Sequence, residues 1–389
     1  DLHRRRHSFP TRRSSDLSPC GPFDGYWGGK LHPPVHPDVL AWRDVTLARG
    51  LTAPTWPKAY GGAGLSFEHA KVLYDEMRAL GLPRPVVGFG FAMIGPTLLQ
   101  FGNEAQKLEH LPKICAGEIR WCQGYSEPNA GSDISNISCR AKKDGDSYLI
   151  SGNKYWCTFA DGADFMIIIA RTSDAPPGKR HLGLSMFFVE KKRGELPKGC
   201  SGAPIPKIGY FGWKTWELAF DNFRVDAADL IGKEGHAFYY ATSGLETARA
   251  HTAARAIGLA QGALDDSIQY ANDRKQFGHS ISDFQAIRFK IADMATQIEA
   301  ARQLMYFVCE QIDTGQRCDK EASMVKLFAS EMAERVCSEG LQIHGGAGYT
   351  TLHAVERHWR DARLTKIFEG TSEIQKRIIS DRLLGRGRN

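Results

Sequence analysis

The sequence predicts an α+β fold in which a helical region, a β region and a second helical region follow one another. Two observations predict it. At both ends of the chain apolar residues recur every three or four positions, whereas the middle carries short β-branched and aromatic runs between turns. With 389 residues and 42% apolar content, the chain is long enough for two or three domains with a large core.

The first helical region is predicted over residues 18–120. It contains the runs FEHAKVLYDEMRAL and PTLLQFGNEAQKLEHLPKICAG, which have helical periodicity. The Gly-rich stretch YGGAGLS at 60–66 is predicted as a loop between them, and GPFDGYWGGKLHPPVHPDVL at 21–40 is predicted as a loop before them.

The middle region, residues 121–233, is predicted as a β domain. Turns such as KKDGDS and DAPPGK separate its candidate strands, which are YLISGNKYW, DFMIIIARTS, LGLSMFFVEK and WELAFDNFRV. The second helical region, residues 234–389, has three long helical patterns divided by Gly or Asn-Asp breaks. Each pattern is long enough for a helix of a bundle.

The first 17 residues, DLHRRRHSFPTRRSSDL, are set apart from the fold. They have neither an amphipathic period nor the apolar stretch of a signal peptide, and HSFPTRRSSDL resembles a translated ligation adapter from a short-read sequencing library. We interpret residues 1–17 as an adapter artefact and predict them to be disordered. Their five arginines and two aspartates supply +3 of the formal net charge of +6, so the rest of the chain carries +3.

Composition argues against several classes of protein. The apolar stretches at 86–95 and 165–170 are far shorter than the roughly 20 residues that span a bilayer, so no membrane span is predicted. The nine cysteines are odd in number, scattered and without a C-x-x-C pair, which favours reduced thiols in a cytoplasm. No histidine spacing indicates a metal site, and neither GGAG segment fits a Rossmann or P-loop motif.

Two segments of the β region have the composition of a ligand site. GYSEPNAGSD at 124–133 brings hydroxyls and backbone N–H groups together within ten residues, which suits a phosphate or a polar cofactor edge, although a capped turn is an equal alternative. KYWCT at 154–158 places Trp156 and Thr158 on one face of a strand. Trp156 is then either a core residue or an exposed aromatic face for a planar heterocycle.

The segment IFEGTSEIQ at 367–375 leaves two interpretations of Glu369. Its carboxylate precedes a Gly-Thr-Ser turn, so it could be a charge stabilised by the dipole of the following helix. Alternatively, it is the group that performs the chemistry.

Six segments, in this order and spacing, resemble the acyl-CoA dehydrogenase family, and the similarity runs from about Trp56 to the C-terminus. They are GYSEPNAGSD, KYWCT, DRKQFG at 273–278, FQAI at 284–287, QIHGGAGY at 342–349 and RDARLTKIFEGTSEIQ at 360–375. The resemblance implies an N-terminal helical domain, a middle β domain of barrel or sandwich type and a C-terminal four-helix bundle. It also implies FAD held between these domains and across a subunit boundary.

The resemblance implies which residues hold FAD. Ser126 would lie near the flavin ring, and Ser132 near the flavin phosphates and the thioester. Trp156 would pack by the isoalloxazine, and the Thr158 hydroxyl would bond toward N5. The further implied contacts are Gln123, Tyr125, Gly131, Arg274, Phe277, Gln285, Gln342, Gly346, Thr371 and Glu373.

The resemblance also assigns Glu369 as the catalytic base, which removes the α-proton of a CoA thioester while a hydride leaves Cβ for flavin N5. The backbone N–H of the glutamate and a ribityl hydroxyl of FAD would donate to the thioester carbonyl. Some family members place the base immediately before the arginine that corresponds to Arg249, but that position here is Ala248, which cannot accept a proton. The implied substrate contacts are Ser132, Glu246, Arg249 and Gly370, with a helix-surface charge as the alternative for Arg249.

One residue and one segment depart from the family pattern. Tyr125 occupies a loop position more often filled by a smaller aliphatic residue or Cys. An additional N-terminal helix of the family has no counterpart in the loop-like sequence at 21–40, so we expect a truncated N-terminal domain.

Arg274 and Phe277 correspond to residues that reach the FAD of a neighbouring subunit, which implies a homo-oligomer, a tetramer built as a dimer of dimers. The implied partners are an acyl-CoA substrate and an electron-transfer flavoprotein, in cytoplasmic β-oxidation of fatty acids. The alternatives are an acyl-CoA oxidase or flavin monooxygenase of the same fold, or a flavin-containing DNA-binding relative. Glu369 counts against the monooxygenase, and the net charge of +3 counts against nucleic-acid binding. Acyl chain length and branching stay open.

Overall fold

The computed structural model describes residues 36–211 and 213–386. They divide into two units. The N-terminal unit contains residues 36–206 and 211–244 apart from residue 212, and the C-terminal unit contains residues 207–210 and 245–386. The interpreted adapter artefact, residues 1–17, lies outside the described residues.

Three helices of the N-terminal unit begin at a side-chain cap, which is His36, Ser66 or Asn103. The predicted helical run at 96–117 forms two helices, because Asn103 caps the second one: its side chain accepts from the N–H of Gln106, whose side chain accepts from the N–H of Asn103. The helices of this unit are α1 (Pro37–Leu47), α2 (Phe67–Ala79), α3 (Gly95–Phe101), α4 (Glu104–Ala116) and α5 (Ala237–Ser243).

The predicted loop at 21–40 is wrong at its end, because α1 begins at Pro37. Proline fits the first position of a helix, where its fixed φ is suitable and its missing N–H is not needed. His36 caps the helix, since its Nδ1 accepts from the N–H of Asp38 over 3.3 Å. The remainder of that stretch, and with it the predicted truncation, lies outside the described residues.

A mixed sheet of eight strands belongs to the N-terminal unit. Its order is β6-β7-β3-β2-β4-β5-β8, and β1 pairs with β4 in parallel. The four candidate strands of the sequence become β3, β4, β5 and β7. The strands are β1 (Trp121–Gly124), β2 (Arg140–Asp144), β3 (Ser147–Thr158), β4 (Phe165–Arg171), β5 (Leu184–Glu190), β6 (Cys200–Pro204), β7 (Thr215–Asp226) and β8 (Leu230–Ile231).

Strands β4 and β5 are the most deeply buried part of the sheet. Six consecutive residues of each, starting at Phe165 and Leu184, are buried. Because successive side chains point to opposite faces, a continuous apolar run means that both faces of these strands are covered. The uninterrupted apolar sequence FMIIIA therefore belongs to a buried strand rather than to a surface strand with an alternating pattern.

Five helices of the described chain form the C-terminal unit. Helices α6, α7 and α8 pack on one another around a core rich in alanine, and Gly340 of α8 lies so close to α6 that an added Cβ would be 3.4 Å from the Cβ of Ala263. Small residues allow this close approach of the two backbones. The helices are α6 (Leu245–Asp273), α7 (Gln285–Asp313), α8 (Asp319–His344), α9 (Val355–Thr365) and α10 (Ser372–Leu383).

The predicted α+β class, with helices on both sides of a β region in the chain, is confirmed. None of the described helices combines the length and the apolar character that a membrane crossing requires.

Candidate active site

A buried ion pair fixes the loop GYSEPNAGSD to strand β3. Lys154 Nζ lies 2.7 Å from Glu127 Oε1, and both side chains are buried. The same ammonium donates to the carbonyl of Tyr125 over 3.1 Å. Glu127 also accepts from the backbone N–H groups of Ser138 and Cys139 over 2.7 and 3.0 Å. A buried pair with its other oxygens satisfied holds the loop in one position relative to the strand.

Burial and charge act in opposite directions on Glu127. Burial raises the pKa of its carboxyl, but the nearby Lys154 ammonium and the Ser138 donors outweigh this effect, so the pKa lies below its ordinary value. The lowered pKa favours the ionised form of Glu127 beside Lys154.

Trp156 projects from a bulge in β3. Lys154 pairs with Leu218 and Cys157 with Trp216, so two residues of β3 lie opposite one of β7. Trp156 has a φ of 63°, and its side chain is 54% exposed. The core-tryptophan interpretation is therefore excluded.

The residues next to Trp156 show on which face of the strand its side chain lies. Cys157 is buried and Thr158 is half-buried, so Trp156 and Thr158 lie on the face turned away from the core. The Tyr155 ring meets the Trp156 ring edge-on at 4.6 Å. The N–H of Tyr155 donates to the carbonyl of Ser126 over 2.8 Å, which joins the loop to the bulge.

The other predicted flavin contacts of this unit lie on β1 and the loop that follows it. Gln123 is half-buried on β1, and its buried Oε1 has no hydrogen-bond donor among the described residues. Tyr125 packs against the apolar core, which accommodates the larger side chain at this position. Gly131 and Ser132 are exposed, and a Cβ at Gly131 would meet no atom within 4 Å. The loop therefore has open space around Gly131, and the strand before it carries the Gln123 acceptor, which lacks a donor among the described residues.

A second group of predicted cofactor residues lies on the surface of the C-terminal unit. Arg274 follows α6 directly, and Phe277 stands at the tip of a hairpin formed by β9 (Lys275–Gln276) and β10 (His279–Ser280). Phe277 and Gly278 have φ values of 54° and 81°, as in a two-residue hairpin turn, and the Phe277 ring is 90% exposed. The other members, also exposed, are Gln285, Gln342 and Gly346.

Arg249 is a buried residue, so the alternative interpretation as a helix-surface charge is wrong. One of its terminal nitrogens lies 3.5 Å from the carbonyl of Asp319, and its Nε has no partner in the described part of the chain. Burial lowers the pKa of Arg249, and Asp319 and Glu246 partly offset this. Glu246 is half-buried one turn earlier on α6, where it accepts from the Cys318 thiol.

Glu369 lies in a tight turn between α9 and α10. Its φ is 53° and that of Gly370 is 90°, both in the left-handed region. Thr371 caps α10, since its Oγ1 accepts from the N–H of Ile374 over 3.3 Å, and Glu373 is the acidic residue of the first turn. Glu373, rather than Glu369, therefore has the position that interacts with the helix dipole.

Two donors hold the carbonyl of Gly370. Lys326 Nζ of α8 donates to it over 2.6 Å, and Gln375 Nε2 of α10 donates over 2.9 Å. A side chain at position 370 is disfavoured, because the φ of 90° strains any residue other than glycine and because a Cβ would displace the Gln375 amide, whose Nε2 would lie 2.6 Å away. Burial lowers the pKa of Lys326 to about 8, although Glu369 and Glu331 partly offset it. The turn that presents Glu369 is thus fixed from its inner side by a buried ammonium.

The carboxylate of Glu369 contacts α6. Thr252, which is fully buried one turn after Ala248, donates from its hydroxyl to Glu369 Oε2. The preceding residue in the chain, Phe368, has the guanidinium of Arg255 5.1 Å above its ring. Tyr210 approaches Phe368 edge-on at 6.1 Å. A carboxylate held by its turn and by one hydrogen bond is a positioned proton acceptor.

Sequence reasoning missed Thr252, Lys326, Tyr210 and Gln375. A signal was present for two of them. Thr252 lies one helical turn after Ala248, on the same face of α6. Lys326 interrupts the apolar face of α8 in the sequence SMVKLFA. Tyr210 and Gln375 carry no such signal.

The chain is similar to known proteins along most of its length. Family models described as acyl-CoA dehydrogenase N-terminal, middle and C-terminal domain match residues 34–118, 122–223 and 235–384. An acyl-CoA dehydrogenase of Bacillus subtilis is 40% identical over 337 residues, which are 86% of this chain and 87% of that protein. A (2S)-methylsuccinyl-CoA dehydrogenase of Cereibacter sphaeroides is 41% identical over 86% of this chain, and the match spans only 62% of that relative.

A solved structure is similar over nearly the whole fold. The crystal structure of acyl-CoA dehydrogenase from Geobacillus kaustophilus has a TM-score of 0.78 and 32% identity, and the match covers 89% of this chain and 90% of that one. The three matched domains and the long alignment with Bacillus subtilis show that the chain belongs to the acyl-CoA dehydrogenase family, FAD-dependent oxidoreductases that act on CH–CH groups.

Proposed function

We propose that this protein oxidises the Cα–Cβ bond of an acyl-CoA thioester to a trans-2-enoyl-CoA, with Glu369 as the base and an electron-transfer flavoprotein as the electron acceptor. The observation that carries the proposal is that the Glu369 carboxylate is held in one position. Its turn is fixed by Lys326 and Gln375, and its Oε2 is fixed by Thr252. A base held in one orientation is what abstraction of a weakly acidic α-proton requires.

The backbone of the same turn offers a donor for the thioester carbonyl. None of the described residues accepts a hydrogen bond from the backbone N–H of Glu369. As the α-proton leaves, negative charge develops on the thioester oxygen, and a preorganised N–H stabilises it. Glu369 thus accepts the α-proton with its carboxylate and donates its backbone N–H to the thioester carbonyl. Gly370, Glu246, Arg249 and Ser132 are the proposed further contacts of the substrate.

The residues of the N-terminal unit fit FAD. The exposed Trp156 ring offers a flat apolar surface beside the Thr158 hydroxyl, and the unsatisfied Gln123 Oε1 is available to accept from a ring N–H. The open space at Gly131 and the exposed Ser132 suit phosphates. Tyr125 and Ser126 complete the proposed set there. When bound, FAD supplies the acceptor for the hydride that leaves Cβ.

The exposed residues of the C-terminal unit support a homo-oligomer. Arg274 and Phe277 project from a hairpin in which neither side chain is buried by the described chain, and a guanidinium fork is suited to a pyrophosphate. We propose that they reach the FAD of a neighbouring subunit in a homotetramer. The other proposed FAD contacts of this unit are Gln285, Gln342, Gly346, Thr371 and Glu373.

Relatives and the cysteines support the proposed acceptor and compartment. A relative from Acetobacterium woodii, 38% identical over 84% of this chain, is named as subunit CarC of a caffeyl-CoA reductase-Etf complex, which supports an electron-transfer flavoprotein as partner. The eight described cysteines are free, and burial raises the pKa of the Cys115 thiol to about 12, which makes it unreactive. We propose a cytoplasmic enzyme of the fatty-acid β-oxidation type.

Anaerobic titration of the purified holoenzyme with a panel of acyl-CoA thioesters tests the proposal. Bleaching of the flavin by at least one thioester is expected, and its rate across straight and branched chains identifies the preferred acyl group. If no thioester bleaches the flavin, the protein is not an acyl-CoA dehydrogenase in function.

The variant Glu369→Gln tests the base. It keeps the size of the side chain but removes the proton acceptor, so it should retain FAD and lose flavin reduction by several orders of magnitude. Glu310→Gln, an exposed glutamate of α7, is the matched control and should react as the wild type does. Unchanged reduction in Glu369→Gln would refute the assignment.

A further inference from the structure

The hydroxyl of Thr252 has two acceptors and only one proton. It lies within 3.1 Å of the carbonyl of Ala248, one turn earlier on α6, and it contacts Oε2 of Glu369. Because α6 is a regular helix here, the carbonyl of Ala248 already accepts the backbone N–H of Thr252. The hydroxyl is therefore not required by the helix, whereas the carboxylate gains a donor from it.

The surroundings of Thr252 make this hydroxyl unusual. The side chain is fully buried, and the flanking positions on the same helix include the fully buried Ala253 and Ala256. Valine would fill the same volume in such an apolar packing without burying a polar group, which needs a partner to avoid an energetic cost. In this core the partner of the Thr252 hydroxyl is the side chain of Glu369.

We propose that Thr252 is a positioning residue that determines which oxygen of Glu369 takes the substrate proton. Its hydroxyl holds Oε2, and no hydrogen bond to Oε1 is formed by the residues that the structure describes. Oε1 is then the oxygen with both lone pairs free, whereas one lone pair of Oε2 is already occupied, so the α-proton moves from the substrate carbon to Oε1. This inference rests on the proposed function, because it takes Glu369 to be the base.

Other polar groups near Glu369 have different contacts. Lys326 is the nearest buried cation, but its Nζ donates to the carbonyl of Gly370. Tyr210 and Arg255 lie on the side of Phe368, where they contact its ring. These groups set the potential around the carboxylate, whereas Thr252 makes the directional contact with one of its oxygens.

Infrared difference spectroscopy of the holoenzyme tests the hydrogen bond without any substrate. The carboxylate band of Glu369 is assigned as the one that Glu369→Gln lacks. In Thr252→Val this band should shift, because the carboxylate loses a donor, and in Thr252→Ser it should stay near its wild-type position. Thr296→Val is the matched control, since Thr296 of α7 makes the same kind of bond to the carbonyl of Ala292, over 2.8 Å, and should leave the band unchanged.

Anaerobic stopped-flow reduction of the same variants by the best acyl-CoA tests the positioning. We expect Thr252→Val to slow flavin reduction about tenfold or more at saturating substrate, with little change in KM, and Thr252→Ser to restore most of the rate. A band that does not shift in Thr252→Val overturns the proposal, and so does a shifted band with an unchanged rate. If no acyl-CoA reduces even the wild type, the proposed function fails, while the infrared result still decides the hydrogen bond.

Discussion

Lys326 donates from its buried Nζ to the carbonyl of Gly370 over 2.6 Å, next to the left-handed turn at Glu369. An ammonium in such a position is costly, because burial disfavours its charge. The packing of α8 does not explain a buried ammonium at this position, whereas its hydrogen bond to the Gly370 carbonyl does. The Lys326 ammonium should therefore affect both the activity and the pH dependence of stability.

The variant Lys326→Met removes the charge and keeps the length of the side chain. The carbonyl of Gly370 then has only the Gln375 amide as donor, so the turn should loosen and flavin reduction should slow by about tenfold. Lys376→Met, at an exposed lysine of α10, is the control and should reduce its flavin at the wild-type rate. An unaltered rate in Lys326→Met would show that the ammonium does not position the base.

The pH dependence of unfolding should report the Lys326 charge. Its pKa in the folded protein is about 8, below the ordinary 10.5, so between these values the unfolded chain binds more protons than the folded one at this site. The contribution of Lys326 to the free energy of unfolding therefore rises as the pH increases from about 8 to 10.5. Denaturant unfolding of the wild type and Lys326→Met should show the wild type gaining stability relative to the variant from about pH 8 to 10.5. A constant difference between them would contradict the lowered pKa.

Breaking the buried pair of Lys154 and Glu127 should destabilise the N-terminal unit. Lys154→Met leaves a buried carboxylate without its cation, at an expected cost of about 3–5 kcal/mol in the free energy of unfolding. The double variant Lys154→Met with Glu127→Gln should recover part of that loss, because the buried charge is gone. A loss in Lys154→Met below about 1 kcal/mol would place the pair among weak surface contacts.

Removal of the exposed Trp156 ring should affect FAD more than folding. Trp156→Ala loses the flat apolar surface, and aromatic stacking of a heterocycle contributes about 1–3 kcal/mol, so FAD affinity should fall by about tenfold to a hundredfold. Titration of the apoprotein with FAD measures the change. Phe67→Ala, an exposed aromatic residue of α2, should bind FAD as the wild type does. Equal affinities in the two variants would exclude Trp156 from the flavin site.

Part of the candidate site could be predicted from local sequence. The bulge and the exposed ring of Trp156 belong to a segment, KYWCT, that the sequence already marked. The burial of Arg249 could not be predicted in the same way, because a charged residue on a helix is usually exposed, whereas Arg249 is buried and contacts Asp319 at the start of α8. The division of the run at 96–117 into α3 and α4 was decided by the Asn103 cap, whose signal was present but weaker than the apolar period.

Periodicity and linked motifs along the chain were sufficient to predict the order of helical and β regions, the strands β3, β4, β5 and β7, and Glu369 as the candidate base. The groups that hold that side chain in place could be found only from contacts between elements distant in the chain. Thr252 lies 117 positions from Glu369, and Lys326 lies 44 positions from Gly370. Contacts at such separations arise from the packing of α6, α8 and the turn before α10, and no local pattern of residues specifies them.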